Sequence, residues 1–285
     1  MTKLDQFESV FKSADKAVYT YDRPTFDRVL VVTDLDEADT ADITSRVRSF
    51  LTAIDQAGTR WGTLTGDAFG SVQALLERIE ERKPDLIVTY RHLHSEAWRW
   101  PYSLGEYLDV MTQATPVPVL VLPHPDADRA LPHSIKDTDR VMAITDHLTG
   151  DNRLVNMAVA FTEPGGTCWL THVESQPVFE RYMDAVSRIA AIDTDLAREA
   201  LAEQLLKEPR DFIAACRAEI DTQGLPIKID EVVAMGRRVD EYGELIAKRE
   251  IDLLVLNTKD DDQLAMHGAA YALAVELRGV PLLML

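Results

Sequence analysis

Uninterrupted apolar runs alternate along the chain with segments whose apolar residues recur at helical spacing. The runs at 29–32, 86–88 and 119–122 contain no polar residue, which is typical of parallel strands buried on both faces. Between them, the segment 72–79 repeats its apolar positions every three or four residues, which predicts an amphipathic helix. Strands that alternate with helices predict an α/β fold with a parallel sheet and right-handed crossovers.

The same order of elements occurs twice. The run 27–34 (DRVLVVTD) reappears as 139–146 (DRVMAITD). Gly66 and Gly236 each precede a helical segment. In both copies an Asp-Leu-Ile/Leu-Val strand and a proline-marked final strand then follow. Landmarks that recur in the same order predict two diverged copies of one unit.

The repeat divides the chain into four predicted segments. Residues 27–123 are predicted to form the first unit, 124–138 a proline-containing linker, and 139–285 the second unit. Residues 1–26 precede the repeat and are interpreted as an N-terminal helical extension. Its apolar positions predict a short amphipathic helix that docks on one unit, with binding of a protein partner as the alternative.

The second unit is longer than the first. It contains a further apolar run at 167–173, which predicts another strand. His172 on that strand is interpreted as a core residue. A long helical region follows, and Pro209 is expected to kink or break it. The first unit is therefore interpreted as shortened by about one strand–helix pair. Cys168 and Cys216 lie in apolar patterns without a neighbouring cysteine, and we interpret them as buried hydrophobic residues.

Charge and motif content narrow the possible functions. The formal net charge is -18, which disfavours binding to nucleic acid and to anionic membrane surfaces. Because the chain has no bilayer-length apolar run and opens without a basic-then-apolar leader, we expect a cytoplasmic protein. The motifs G-x-S-x-G, G-x-x-x-x-G-K-[ST] and G-x-G-x-x-G are absent from the sequence. We therefore do not expect a conventional enzyme, and weak nucleotide hydrolysis stays open as an alternative.

The landmarks of both copies resemble the universal stress protein family in its tandem two-unit form. The resemblance rests on the Thr-Asp strand ends at Asp34 and Asp146, on Thr-His-Val at 171–173, and on Met-Gly at 235–236. It covers nearly all of both copies. It implies two tandem open parallel-sheet units of Rossmann-like type, with five strands in a complete unit. In family members that bind ATP, the nucleotide lies at the carboxyl ends of the strands, near the aspartate that ends the first strand.

The resemblance also implies how the units associate. Units of this family pair through their last strands, so 117–122 and 281–285 are expected to meet within one chain as an internal pseudo-dimer. Mutual pairing would also protect two hydrophobic edge strands from aggregation. A further homodimer of chains and an unidentified protein partner are expected alternatives.

The family's phosphate signature, G-x2-G-x9-G-[S/T], is degenerate in both copies. Tyr90 stands where the first copy would need a glycine, and bulky side chains fill the rest of its loop. In the second copy three aspartates at 260–262 would face a triphosphate, Gly268 is the surviving glycine, and Ala269 lacks the hydroxyl. We therefore expect no certain cofactor, and ATP or AMP is disfavoured.

Eight residues are candidate ligand contacts. In the first copy they are Asp34, Arg91, His92, His94 and Ser103, and in the second Asp146, Asn257 and Gly268. Alternative structural roles exist for several of them. The two aspartates could cap the helices that follow. The histidines could pack in an aromatic cap with Trp98, Trp100, Tyr102 and Tyr107. His-x-His with His124 is too small a ligand set to predict a metal.

Two functions remain for this pattern. The first is a stress-response binding or signalling module of the universal stress protein type with a degenerate nucleotide site. The second is a sensor that binds a nucleotide or small anion at the carboxyl edge of the first unit.

Overall fold

A single mixed sheet organises the protein. The computed structural model describes residues 19–100, 103–127, 130–145, 148–258 and 268–285. The strands in these ranges are β1 (Arg28–Val32), β2 (Arg60–Leu64), β3 (Leu86–Tyr90), β4 (Val119–Leu122), β5 (Arg140–Thr145), β6 (Thr167–Ser175), β7 (Lys228–Gly236), β8 (Leu253–Leu256) and β9 (Leu282–Met284). The α-helices are α1 (Glu37–Phe50), α2 (Val72–Arg82), α3 (Glu106–Ala114), α4 (Asn152–Phe161), α5 (Gln176–Ser187), α6 (Thr194–Thr222), α7 (Arg238–Arg249) and α8 (Gly268–Glu276). The α/β class predicted from the sequence is confirmed.

The strand order is β2-β1-β3-β4-β9-β8-β5-β6-β7. Every neighbouring pair is parallel except β4 and β9, which run antiparallel with Leu120 opposite Leu283. We call β1–β4 with their helices the N-terminal half and β5–β9 with theirs the C-terminal half. The two last strands therefore meet within one chain, as the sequence predicts, and both are buried.

The two halves share a topology, although the N-terminal half has one strand fewer among the described residues. In the N-terminal half β1 lies between β2 and β3. In the C-terminal half β5 lies between β6 and β8, and β7 is an additional outer strand beyond β6. The strand β2 leads into Gly66, as β7 leads into Gly236, yet β2 occupies the position that β6 has beside β5. Among the described residues, the N-terminal half therefore has no counterpart of the outer strand β7 beyond β2.

A common hydrogen bond marks the start of the first strand in each half. The Asp85 Oδ2 atom accepts from the backbone N of Arg28 at 2.9 Å, and Asp252 Oδ2 accepts from the backbone N of Arg140 at 3.1 Å. Each aspartate directly precedes the Asp-Leu strand that pairs with that first strand. In each half, the arginine that begins the first strand thus donates its backbone N–H to the aspartate of the Asp-Leu motif.

The segment before β1 packs across the C-terminal half. The Tyr19 hydroxyl donates to Asn156 Oδ1 at 2.8 Å, and the Tyr19 ring meets Phe212 edge-on with 6.2 Å between centroids. Phe26 similarly packs edge-on against Phe161 at 5.3 Å. Of the predicted N-terminal helical extension, residues 1–18 lie outside the described residues, and 19–26 are not helical.

Of the kink or break expected at Pro209, the break is wrong. The helix α6 continues through Pro209, and the interruption of the helical region lies earlier, between α5 and α6. Asp193 begins α6 there, with Oδ1 accepting from the backbone N of Leu196 at 3.1 Å. Proline costs the helix one hydrogen bond, and burial of Phe212 and Ile213 one turn further on offsets that loss. Among the described residues, the helices are too short or too polar to cross a membrane.

Candidate functional site

The carboxyl ends of three neighbouring strands form the candidate site. Asp34 follows β1, Arg91 follows β3, and His124 follows β4. Because these strands are parallel, the residues after them emerge at one edge of the sheet. Residues 91–100 and 103–105, the described part of the loop between β3 and α3, follow at this edge.

The Asp34 carboxylate is held by the last residue of β3, Tyr90, and by His94 in the loop that follows. The Tyr90 hydroxyl donates to Asp34 Oδ1, and the backbone N of His94 donates to Oδ2 at 2.7 Å. Burial and the Asp34 carboxylate raise the pKa of Tyr90, which keeps the phenol protonated as the donor. The alternative role of Asp34 as a helix cap is wrong, because Asp36 Oδ1 accepts from the backbone N of Asp39 at the start of α1.

Two histidines in the loop have a backbone conformation that normally favours glycine. The φ angle is 62° at His92 and 56° at His94. A side chain costs about 1–2 kcal/mol in this left-handed region. Gly105 closes the loop with φ of 95°, and a Cβ there would lie 2.8 Å from the backbone N of His92. The loop therefore turns as a glycine-rich loop can, while carrying side chains where glycines would leave space.

The predicted aromatic cap is present in a modified form. The His94 ring packs against Phe69 and Tyr107, at 5.0 and 5.4 Å between centroids. His124, which lies after β4, stacks on Trp98 at 4.9 Å and an interplanar angle of 20°. Trp100 does not belong to the cap, since it is 62% exposed, and Tyr102 lies outside the described residues.

Arg91 faces the C-terminal half. Its side chain is buried, and one terminal nitrogen donates to the carbonyl oxygen of Leu277 at 3.2 Å. Burial, together with the neighbouring Arg278, lowers the pKa of Arg91 to about 9. The five candidates of the N-terminal half therefore do not converge on one point. Asp34 and His94 contact each other, whereas Arg91 turns toward the segment before β9.

His92 and Ser103 hold the loop closed. The backbone N of His92 donates to the carbonyl oxygen of Leu104 at 3.0 Å, and the imidazole hydrogen bonds to the backbone of Ser103. Burial lowers the pKa of His92, with the cations Arg91 and Arg278 contributing in the same direction, so the ring is neutral at neutral pH. Ser103 thus contributes through its backbone.

A narrow cleft lies where this loop meets the C-terminal half. The residues that line it are Arg91, His92, Trp98, His124, Ala127 and Arg278. The cleft is partly open to solvent. Sequence reasoning missed Arg278, which carries no motif and lies 187 positions after Arg91 along the chain. We call this set the inter-half cleft.

Comparison with solved structures identifies the fold. A protein of unknown function from Pseudomonas aeruginosa PAO1 superposes with a TM-score of 0.52 at 12% identity, covering 91% of this chain and 92% of the other. A Pseudomonas aeruginosa UCBPP-PA14 protein described as a universal stress protein superposes at 0.51 and 12%, covering 91% and 93%. The chain has a universal stress protein fold. By sequence it matches no family model and no curated protein.

The candidates of the C-terminal half show a different arrangement within this universal stress protein fold. The Asn257 amide donates to Asp151 Oδ2, while Asp151 Oδ1 accepts from the backbone N of Leu154 at the start of α4. Asn257 is thereby bound to the residue that caps α4. Gly268 is the first residue of α8. Asp146 and the three aspartates at 260–262 lie outside the described residues.

A group of three carboxylates was not anticipated from the sequence. Asp137, Asp139 and Asp252 place carboxylate oxygens within 4.8 Å of one another at the amino end of β5. Burial, the hydrogen bond to Asp139 and the charges of Asp137 and Asp139 raise the pKa of Asp252 to about 8. The repeat supplied the signal, since Asp139 and Asp252 both belong to its landmarks, but the sequence gives no indication that they touch. Oxygen ligands of this kind can hold a divalent cation.

Proposed function

We propose that the protein is a binding module of the universal stress protein type, acting in the stress response, with a degenerate nucleotide site. It works by binding rather than by conventional catalysis. It acts in the cytoplasm, a proposal that the two buried, free cysteines Cys168 and Cys216 support because reduced thiols are typical there.

The Tyr90–Asp34 contact carries this proposal. In the resembling family the aspartate after the first strand lies near the adenine or ribose of the nucleotide. Here both carboxylate oxygens of Asp34 are already engaged by the Tyr90 hydroxyl and the His94 backbone. A ribose hydroxyl would have to displace these bonds, and the carboxylate would lose charge-assisted partners in the exchange.

The loop after β3 supports the same conclusion. A phosphate cradle needs backbone amides that a ligand can approach closely, which is the reason for its glycines. His92 and His94 keep positive φ angles, and the His94 ring fills the adjacent space against Phe69 and Tyr107. Leu93 and Leu104 in this loop are buried as well. The conformation of a cradle persists while side chains occupy its interior.

Stability measurements with nucleotides test the proposal. The melting temperature of the full chain is measured with ATP and Mg²⁺, with AMP, and without ligand. A ligand that binds the native state raises this temperature through mass action. We expect no rise with ATP at millimolar concentration. A rise that grows steadily with ATP concentration would contradict the degenerate site.

The proposed module also binds protein, either a second copy of this chain or a different protein. Large apolar side chains are exposed on α5, on α6 and in the segment between them, namely Tyr182, Ile189, Ile192, Leu196, Leu201 and Leu205. Exposed apolar groups of this extent favour a protein contact. Light scattering across a concentration series shows whether the chain forms a homodimer.

A further inference from the structure

We propose that the inter-half cleft binds a tetrahedral oxyanion of the phosphate class, held between Arg91 of the N-terminal half and Arg278 of the C-terminal half. The proposal does not depend on the absence of ATP binding, because the cleft lies beside the Asp34 contact and uses other residues. Its ligand is either free orthophosphate or the phosphate of a nucleoside monophosphate.

Arg91 supplies the first reason. Its side chain is 4% exposed, and its one hydrogen bond among the described residues goes to the neutral carbonyl of Leu277. Its Nε atom is buried without an acceptor in the described part of the chain. No carboxylate there lies within ion-pair distance of it. A buried cation normally has an anionic partner, since burial removes its hydration. An oxyanion in the cleft would supply that partner.

Arg278 supplies the second reason. It follows Leu277, whose carbonyl binds Arg91, and it lines the same cleft. Two guanidinium groups on facing segments repel each other. The charge of Arg278 accordingly contributes to the lowered pKa of Arg91. Arginine forks match the oxygens of a phosphate group, and an anion between two of them converts the repulsion into two charge-assisted contacts.

The other side chains of the cleft suit the same ligand. The His124 Nδ1 atom accepts from the backbone N of Asp126 at 3.1 Å, so the neutral ring carries its hydrogen on Nε2 as a donor. Burial lowers the pKa of His124, and the nearby Asp126 and Asp34 carboxylates oppose this shift. Trp98 stacks on His124 and forms an apolar wall. Two cations, a neutral donor and an apolar wall favour a small anion over a metal ion.

The position of the cleft indicates a consequence of binding. Arg91 follows β3, which pairs with β4, whereas Arg278 precedes β9. The strands β4 and β9 form the antiparallel seam between the halves. An anion that contacts both arginines would tie the two halves together on one side of that seam. Binding should therefore stabilise the whole chain and not one half.

Isothermal titration calorimetry with the full chain tests this site. Orthophosphate is titrated into the wild type and into Arg278→Gln, Arg91→Gln and Arg46→Gln, in a buffer free of other polyvalent anions. Arg46 is exposed on α1 and does not line the cleft, so its variant matches the charge change elsewhere. Arg278 is only half-buried, so its variant tests the site even if Arg91→Gln fails to fold. A parallel titration with AMP separates the two ligand sources.

Orthophosphate or AMP is expected to bind the wild type and Arg46→Gln alike. Arg278→Gln should weaken the affinity by about tenfold or more, because one charge-assisted contact is lost. Binding of AMP alone would assign the phosphate to a nucleotide, and binding of orthophosphate would assign it to the free ion. The proposal is overturned if neither ligand binds the wild type at millimolar concentration, or if Arg278→Gln binds within twofold of it.

Discussion

The Tyr90 hydroxyl donates a hydrogen bond to the Asp34 carboxylate across the carboxyl ends of two paired strands. The two residues are 56 positions apart, and the backbone N of Asp34 in turn donates to the Tyr90 oxygen at 3.2 Å. This reciprocal contact sits where the resembling family places its nucleotide. It links Tyr90, which replaces a glycine at the end of β3, to the aspartate that remains after β1.

Removing the Tyr90 hydroxyl should reduce stability. In Tyr90→Phe the ring stays buried, but the Asp34 carboxylate loses a partner. We expect the free energy of unfolding to fall by about 1–3 kcal/mol, the usual cost of losing a hydrogen bond to a charged group. Urea denaturation measures the change. Tyr182→Phe is the control, because Tyr182 is 60% exposed, and an equal effect in both variants would contradict the role of Tyr90.

Gly66 is predicted to tolerate no side chain. A Cβ at this position would lie 2.5 Å from the carbonyl oxygen of Asp34, a backbone atom that cannot turn away. Gly66→Ala should therefore lower stability by about 1–3 kcal/mol, as overpacking does. The matched control is Gly70→Ala, where a Cβ meets no atom within 4 Å. Equal melting temperatures for the two variants would show that the approach of Gly66 to β1 is not required.

Replacing Asp252 with asparagine should stabilise the protein at alkaline pH. The Asp252 carboxyl has a pKa of about 8 in the folded chain, above its value of 3.8 in the unfolded chain. The folded state therefore holds an extra proton between about pH 4 and pH 8, and the stability from this group falls as pH rises through that window. Asparagine resembles the protonated form, since it can still accept from Arg140 and can donate to Asp139.

Melting temperatures at pH 5 and pH 9 measure this difference. We expect Asp252→Asn to exceed the wild type by about 2–4 °C at pH 9, which corresponds to roughly 1 kcal/mol. The gain should shrink at pH 5. Asp85→Asn is the matched variant of the other half, where an arginine side chain, Arg28, lies 3.8 Å away. A gain at pH 9 that is no larger than at pH 5 would contradict the carboxylate cluster as its cause.

Much of the fold could be predicted from short-range pattern. The apolar runs became the buried strands, and the pairing of 117–122 with 281–285 followed from the resemblance. Helix interruption could not be predicted from Pro209, because burial of neighbouring side chains such as Phe212 and Ile213 can offset the hydrogen bond that proline removes. The pairing of β2 with β1 could not be predicted either, because the register and the neighbours of a strand depend on the whole sheet.

The candidate site was less predictable than the fold. Asp34 and Arg91 were predictable as candidates because residues at the ends of parallel strands gather at one edge. Their partners were not, since each contact joins distant parts of the chain. In the sequence Tyr90 is recognisable as a replaced glycine but not as the donor to Asp34, and Arg278 carries no motif that ties it to Arg91. Such contacts arise from tertiary packing, which a single sequence does not encode locally.

Calorimetric titration of ATP with Mg²⁺ into the full chain tests the degenerate site most directly. The occupied Asp34 carboxylate and the filled loop after β3 predict no saturable heat up to millimolar ATP. The Tyr90→Phe variant should behave in the same way, because the loop side chains remain. Saturable binding of ATP with micromolar affinity, reduced by a substitution at Asp34, would contradict the proposed function.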